Sequence, residues 1–115
     1  DARYEAIQCD DAEYIFVAYG SAARICMKSM ELARAEGIKV GLIRPITLWP
    51  FPSKAIGEIG GRMKKILSVE MNAGQMIEDV KLAVGCNVPV EHFGRYGGVI
   101  PTPIEILDAL KKMVK

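Results

Sequence analysis

Residues 14–43 run YIFVAYGSAARICMKSMELARAEGIKVGLI, and they read as strand, helix, strand. Tyr14–Tyr19 is an unbroken apolar, β-rich run closed by Gly20, the pattern of a strand covered on both faces rather than one. Ser21 is in position to cap the helix that follows, and Gly37 stands where glycine ends a helix near Glu36. Between them Ala22, Cys26, Met30 and Ala33 recur at helical spacing, with Arg24, Lys28 and Glu31 on the opposite face. Small residues along the inner stripe suit close packing on a sheet. Lys39–Ile43 is then a second apolar strand. Two strands joined by one helix must be parallel, and the crossover right-handed.

The same alternation continues outward from this unit. On the amino side, Arg3–Cys9 reads as a weak strand and Asp10–Glu13 as a polar turn. So short a connection makes the first strand antiparallel if it pairs at all. On the carboxyl side, Arg44–Pro52 contains Pro45, Pro50 and Pro52, which forbid an ordinary helix. Ser53 is placed to cap a short helix ending near Gly60-Gly61. Lys65–Val69 reads as a strand, Gln75–Val84 as a helix and Val88–Phe93 as the last strand. Thr102-Pro103-Ile104-Glu105 opens the terminal helix with a capping box and a proline at its first position. That helix carries Ile106, Leu107, Leu110 and Met113/Val114 as its apolar stripe, with Lys111, Lys112 and Lys115 at the negative end of its dipole. The order β-β-α-β-α-β-α-β-α predicts an α/β fold, a three-layer α/β/α sandwich spanning residues 1–115 as one domain.

Composition narrows the function. The 115 residues are 50% hydrophobic and 25% charged, with 15 basic against 14 acidic side chains and a net charge of +1. That balance argues against a nucleic-acid or membrane partner recruited by bulk charge. No apolar run approaches the roughly 18 residues of a membrane span. Cys9, Cys26 and Cys86 are widely spaced, without a CxxC pair, so neither a zinc ribbon nor an iron–sulfur cluster is expected in this chain. Free thiols, with Cys26 buried in a helix face, point to a reducing cytoplasm. His92, the single histidine, reads as a packed or surface residue.

In an open parallel sheet, ligands bind beyond the carboxyl ends of the strands. The first such end, Gly20-Ser21, offers backbone amides to a phosphate, or is simply a tight turn and cap. GSAAR lacks GxGxxG and the P-loop lysine. Arg44 lies at the second end. At the third, Glu70-Met71-Asn72-Ala73-Gly74-Gln75 sets a carboxylate, an amide and a glycine together. Together they could hold a polar ligand or a partner loop; alternatively Asn72 and Gln75, at capping-box spacing, cap the next helix, which leaves Glu70 and Met71 unexplained. At the fourth, Gly94-Arg95-Tyr96-Gly97-Gly98 is elaborate for a plain connection, and Arg95 and Tyr96 are suitable interface anchors. Trp49 and Phe51, set between prolines, form either a docking patch or a core-covering loop. Asp10 and Asp11 lie before their strand, at the wrong end of the sheet for a phosphorylatable receiver domain, and no GxSxG is present.

Four of these segments, VAYGSAAR, GLIRPITLWPFP, SVEMNAGQMIEDVKLAVG and VEHFGRYGGVIPTPIEIL, together resemble the carboxy-terminal domain of the alpha subunit of 2-oxoacid:ferredoxin oxidoreductases. The ExNxGQM and GRxGGxxPTPxEI patterns look closest to the 2-ketoisovalerate enzymes. The resemblance implies a transketolase C-terminal-like domain, a five-stranded mixed sheet with one antiparallel edge strand. It also implies oxidative decarboxylation of a branched-chain 2-oxoacid with coenzyme A, giving acyl-CoA, carbon dioxide and reduced ferredoxin. Thiamine diphosphate with Mg and iron–sulfur clusters would serve the full complex, with no cofactor in this chain. Its partners would be the other domains and subunits of the oxidoreductase, with ferredoxin and CoA met at the level of the complex. The chain opens on Asp1 rather than Met and lacks the thiamine-binding regions, so it is expected to be a fragment of a longer alpha subunit. Alone it is expected to be inactive and assembly-supporting. Gly20, Ser21, Arg44, Glu70, Asn72, Gly74, Gln75, Arg95, Tyr96, Gly97 and Gly98 carry over as motif loops and interface candidates, none as catalytic. The alternative is an independent small-molecule or nucleotide-binding module using the Gly20-Ser21 turn. A transketolase or pyruvate-dehydrogenase type subunit of the same fold is a third reading.

Overall fold

The computed structural model describes residues 3–47, 50–71, 75–85, 87–94 and 100–114. The elements alternate as expected. They are β1 (Tyr4–Ile7), β2 (Tyr14–Ala18), α1 (Gly20–Ala35), β3 (Val40–Pro45), α2 (Ser53–Gly60), β4 (Lys65–Glu70), α3 (Gln75–Val84), β5 (Val90–Gly94) and α4 (Pro103–Val114). The five strands form one sheet in the order β1-β3-β2-β4-β5. β1 runs antiparallel to β3 at one edge, with Glu5 opposite Arg44, and every other pairing is parallel.

The sheet is covered on both faces. Phe16, Leu42, Leu67 and Val69 point to a core shared with Cys26, Met30 and Ala33 of α1 and Ile106, Leu107 and Leu110 of α4. On the opposite face Ile15, Val17, Ile43 and Ile66 meet Ile56 of α2 and Met76, Val80 and Val84 of α3. Successive strand residues feed alternate cores, which is why the central strands read as continuous apolar runs. Two tight approaches depend on glycine. A Cβ at Gly41 would stand 2.7 Å from the Gln8 carbonyl oxygen, where the β1–β2 connection crosses β3. One at Gly57 would stand 2.6 Å from the Ala83 oxygen, where α2 lies on α3.

Several boundaries differ from expectation. β3 extends through Arg44 and Pro45 because β1 pairs with it there; its register with β2 ends at Ile43, so a proline at the last position of β3 withholds no amide from that side. β1 stops at Ile7, since Gln8 turns to φ +54. β4 extends to Glu70, and β5 starts at Val90 rather than Val88. Neither serine acts as a cap. α1 begins at Gly20 with Tyr19 as its N-cap residue, and α2 begins at Ser53 with Pro52 in that place. Both serines therefore sit inside the first turn, Ser21 two positions and Ser53 one position past the N-cap, too late to accept from the amides beyond. The Thr102–Glu105 box forms as read. Glu105 N–H donates to Thr102 Oγ1 at 3.2 Å, and Thr102 N–H donates to Glu105 Oε1 at 3.0 Å. Gly37, at φ +87, follows the end of α1 as expected.

Candidate functional site

The parallel strands deliver their carboxyl ends to one side of the sheet. β2 and β4 are neighbours there, yet β2 leads to α1 on one face and β4 leads to α3 on the other. This is the point where successive connections part, and where an α/β sheet opens a crevice. Its described walls are Gly20 and Ser21 on one side and Glu70 and Met71 on the other.

Glu70 is the decisive residue. It ends β4 with its side chain fully buried. The carboxylate turns to the first turn of α3 and accepts from Met76 N–H at 3.0 Å (Oε2) and 3.2 Å (Oε1), and from Ile77 N–H at 3.3 Å. A charged acceptor there satisfies amides that the helix cannot, and opposes the positive end of its dipole. The capping box expected of Asn72 and Gln75 lies outside the described residues, and Glu70 caps the first turn of α3 from the preceding strand. Strand periodicity holds the signal that finds it: Ile66, Ser68 and Glu70 share one face of β4, the face that α3 covers.

Two further polar groups lie on that face. Ser68 pairs with His92 of β5 in the strand register, and His92 Nδ1 stands 3.8 Å from Glu70 Oε2. Ser68 is fully buried, and its hydroxyl finds no hydrogen-bond partner among the described residues. A serine, a histidine and a carboxylate are therefore neighbours, a grouping hidden in the sequence because it spans two strands. The set lacks the chemistry of a nucleophile site. Ser68 is closed to substrate, and Glu70 is committed to α3 rather than to orienting the imidazole.

The other candidates resolve one by one. Gly20 adopts φ +61, Ser21 is exposed, and α1 has neither a capping side chain nor an acidic residue in its first turn. Arg44 is engaged across the sheet edge, with Nη1 2.7 Å from Glu5 Oε1. Phe51 packs half-buried against the α2–α3 core, as a core-covering residue does. Asn72, Gly74, Arg95, Tyr96, Gly97, Gly98, Trp49, Cys86 and the Gln75 side chain lie outside the described residues. Cys26 and Cys9 are buried free thiols, and burial pushes both thiol pKa values up.

Sequence reading missed the clasp at the amino end of the sheet. Arg34 holds Asp11 through two hydrogen bonds of 2.8 and 3.1 Å and donates to the Gln8 and Val40 carbonyls at 2.8 and 2.9 Å. The guanidinium holds the Asp11 carboxyl below its ordinary range. Among the described residues, no group of three or more His, Cys, Asp or Glu is placed to hold a metal, and no helix is long and apolar enough to cross a membrane.

Residues 12–106 match the family model of the pyruvate:ferredoxin oxidoreductase core domain II. The chain belongs to that family. Among curated relatives it is similar to ketoisovalerate oxidoreductase subunit VorB of Methanothermobacter thermautotrophicus, at 49% identity over 113 residues. That match covers 98% of this chain and 31% of the relative, so the chain spans about a third of the length of the curated protein it matches. Among solved structures, the 2-oxoglutarate:ferredoxin oxidoreductase of Magnetococcus marinus superposes with a TM-score of 0.83 at 24% identity, over 98% of this chain and 20% of that one. A split-gene transketolase does so at 0.81 and 16%, over 96% of this chain and 40% of that one. At such identities these two likenesses establish the fold, a transketolase C-terminal-like sheet with one antiparallel pair.

Core domain II belongs to a family whose complexes use thiamine diphosphate and iron–sulfur clusters. The described residues do not fit a diphosphate–metal site. Such a site needs acidic ligands around a cation, and the buried carboxylate at the strand ends is occupied by backbone amides of α3.

Proposed function

We propose that this chain is domain II of the alpha subunit of a 2-oxoacid:ferredoxin oxidoreductase of the ketoisovalerate type, serving assembly rather than chemistry. The observation that carries the reading is the 49% identity to the ketoisovalerate subunit along nearly the whole chain. The 31% share of that relative supports a longer subunit around this domain. The enzyme would decarboxylate a branched-chain 2-oxoacid oxidatively, transferring the acyl group to coenzyme A and the electrons to ferredoxin. Thiamine diphosphate supplies carbanion stabilisation when bound, and it and the clusters would reside on other domains and subunits. Within this chain, the commitment of Glu70 to α3 and the burial of Ser68 support a structural role. Buried free thiols at Cys9 and Cys26 are consistent with a cytoplasmic enzyme.

The test is reconstitution of the longer subunit with its partner subunits, followed by CoA-dependent ferredoxin reduction with several 2-oxoacids. Preference for 2-ketoisovalerate over pyruvate and 2-oxoglutarate, with no turnover by the 115-residue chain alone, is the expected result. A preference for 2-oxoglutarate would overturn the substrate assignment. Turnover by the chain alone would overturn the assembly role.

A further inference from the structure

On the face of the sheet that α1 covers, a groove of about 300 Å³ runs between α1 and the edge strand β1. Strand periodicity places one wall. Glu5 and Ile7 alternate onto the α1 face of β1, opposite Arg44 and Leu42 of β3. Ala23, Arg24 and Met27 supply the other wall from the amino-terminal half of α1. Ala23 is buried and Ile7 half-buried, while Met27 keeps 41% of its surface in water. The floor is therefore apolar, and its exposed part is an unbranched thioether that reshapes to what it meets. The volume lies at the lower end of the range of small-molecule sites, about 300–1,000 Å³.

The charges along this groove do not balance. Arg44 is held by Glu5, with Nη1 2.7 Å from Oε1. Arg24 has no such partner among the described residues. Its own helix offers none, because the positions three and four away are Gly20, Ser21, Met27 and Lys28, with no carboxylate among them. Two guanidinium groups thus line the groove against one carboxylate. A guanidinium presents its N–H donors as a planar fork that matches a carboxylate. One further carboxylate, attached to a short apolar chain, would balance the charge and cover the floor at once.

We propose that this groove binds a small monocarboxylic acid with an apolar chain, the carboxylate on Arg24 and the chain over Ile7 and Met27. Size favours a small molecule over a protein partner, since the groove takes a handful of atoms and a stable protein interface buries roughly 800 Å² on each side. The apolar chain supplies the affinity and the guanidinium fixes the orientation. The inference depends on the residues of the groove alone and not on the reading of the chain as part of an oxidoreductase.

The test uses the intact protein carrying carbon-13 methyl methionine, so that Met27 reports from the groove while the buried Met30 and Met113 serve as references. Hexanoate is expected to move the Met27 methyl resonance saturably at concentrations on the order of millimolar, leaving Met30 and Met113 in place. Acetate, which lacks the chain, should need roughly tenfold more, and hexylammonium, of opposite charge, should give no saturable shift. Arg24→Gln should weaken hexanoate about fivefold. Glu5→Gln, which removes the carboxylate competing for Arg44, should tighten it. Both side chains are exposed, and unchanged far-ultraviolet dichroism will show that the variants fold. An unmoved Met27, an equal response to acetate or hexylammonium, binding indifferent to Arg24→Gln, or binding no tighter in Glu5→Gln overturns the proposal.

Discussion

Glu70 is a buried acidic side chain whose partners are backbone rather than cation. Removing its three amide contacts leaves orphan donors at the start of α3 and should destabilise the domain by about 3 kcal/mol in Glu70→Ala. Glu70→Gln, which keeps an acceptor, should lose about half as much. Urea midpoints measure both, and the Met76 and Ile77 amides should exchange faster in the alanine variant. A loss below about 0.5 kcal/mol would mean the capping bonds do not hold α3. Asp11 makes a pH-dependent contribution instead. Its folded pKa is lowered by the Arg34 hydrogen bond. The associated stability is present above the unfolded aspartate value of about 3.9 and is lost as pH falls through the lower folded value. The difference in urea midpoint between the native chain and Asp11→Asn should therefore be present at neutral pH and vanish in strong acid. A difference that grows on acidification would contradict the pairing. Both residues were visible in the sequence, but their partners were not. Arg34 lies 23 positions from Asp11, and the donors to Glu70 belong to a helix whose placement only the fold decides.

At the scale of elements, the sequence was most legible where local chemistry acts alone. The Thr102–Glu105 box and the glycine after α1 formed as read, since each needs only neighbours three or four residues away. Ser21 and Ser53 carried the same kind of signal and failed. Gly20 and Pro52 let the backbone turn earlier, so α1 began two positions and α2 one position ahead of the expected start. The α2–α3 contact gives a sharper test. Gly57→Ala gains roughly 1 kcal/mol in helix propensity but drives a Cβ to 2.6 Å from the Ala83 oxygen, and overpacking of that kind costs about 1–3 kcal/mol. A net loss of up to about 2 kcal/mol in denaturant melts is expected. Stabilisation by this substitution would show that α2 is free to move off α3.

For the molecule as a whole, one sheet joins two cores, and a cysteine lies in each: Cys26 under α1 and α4, Cys9 on the α2–α3 side. Both thiols are buried and raised in pKa, so reagents should reach neither in the folded protein. Because every central strand contributes to both faces, the cores should be lost together. Peptide-resolved labelling of Cys9 and Cys26 across a urea series should give one shared midpoint, coincident with loss of far-ultraviolet dichroism. Separate midpoints would divide the sheet into independent layers. The amino-acid sequence by itself determined the α/β class, the number and order of elements, the antiparallel first strand and the two-sided burial of β2. These follow from periodicity, turn chemistry and the handedness of crossovers, all of which act over short spans of chain. Only the tertiary structure decided which groups meet: Glu70 with the amides of α3, Ser68 with His92 across two strands, and Arg34 with Asp11. Those contacts arise from the sheet order and the faces on which the helices land, which depend on the whole chain packing at once.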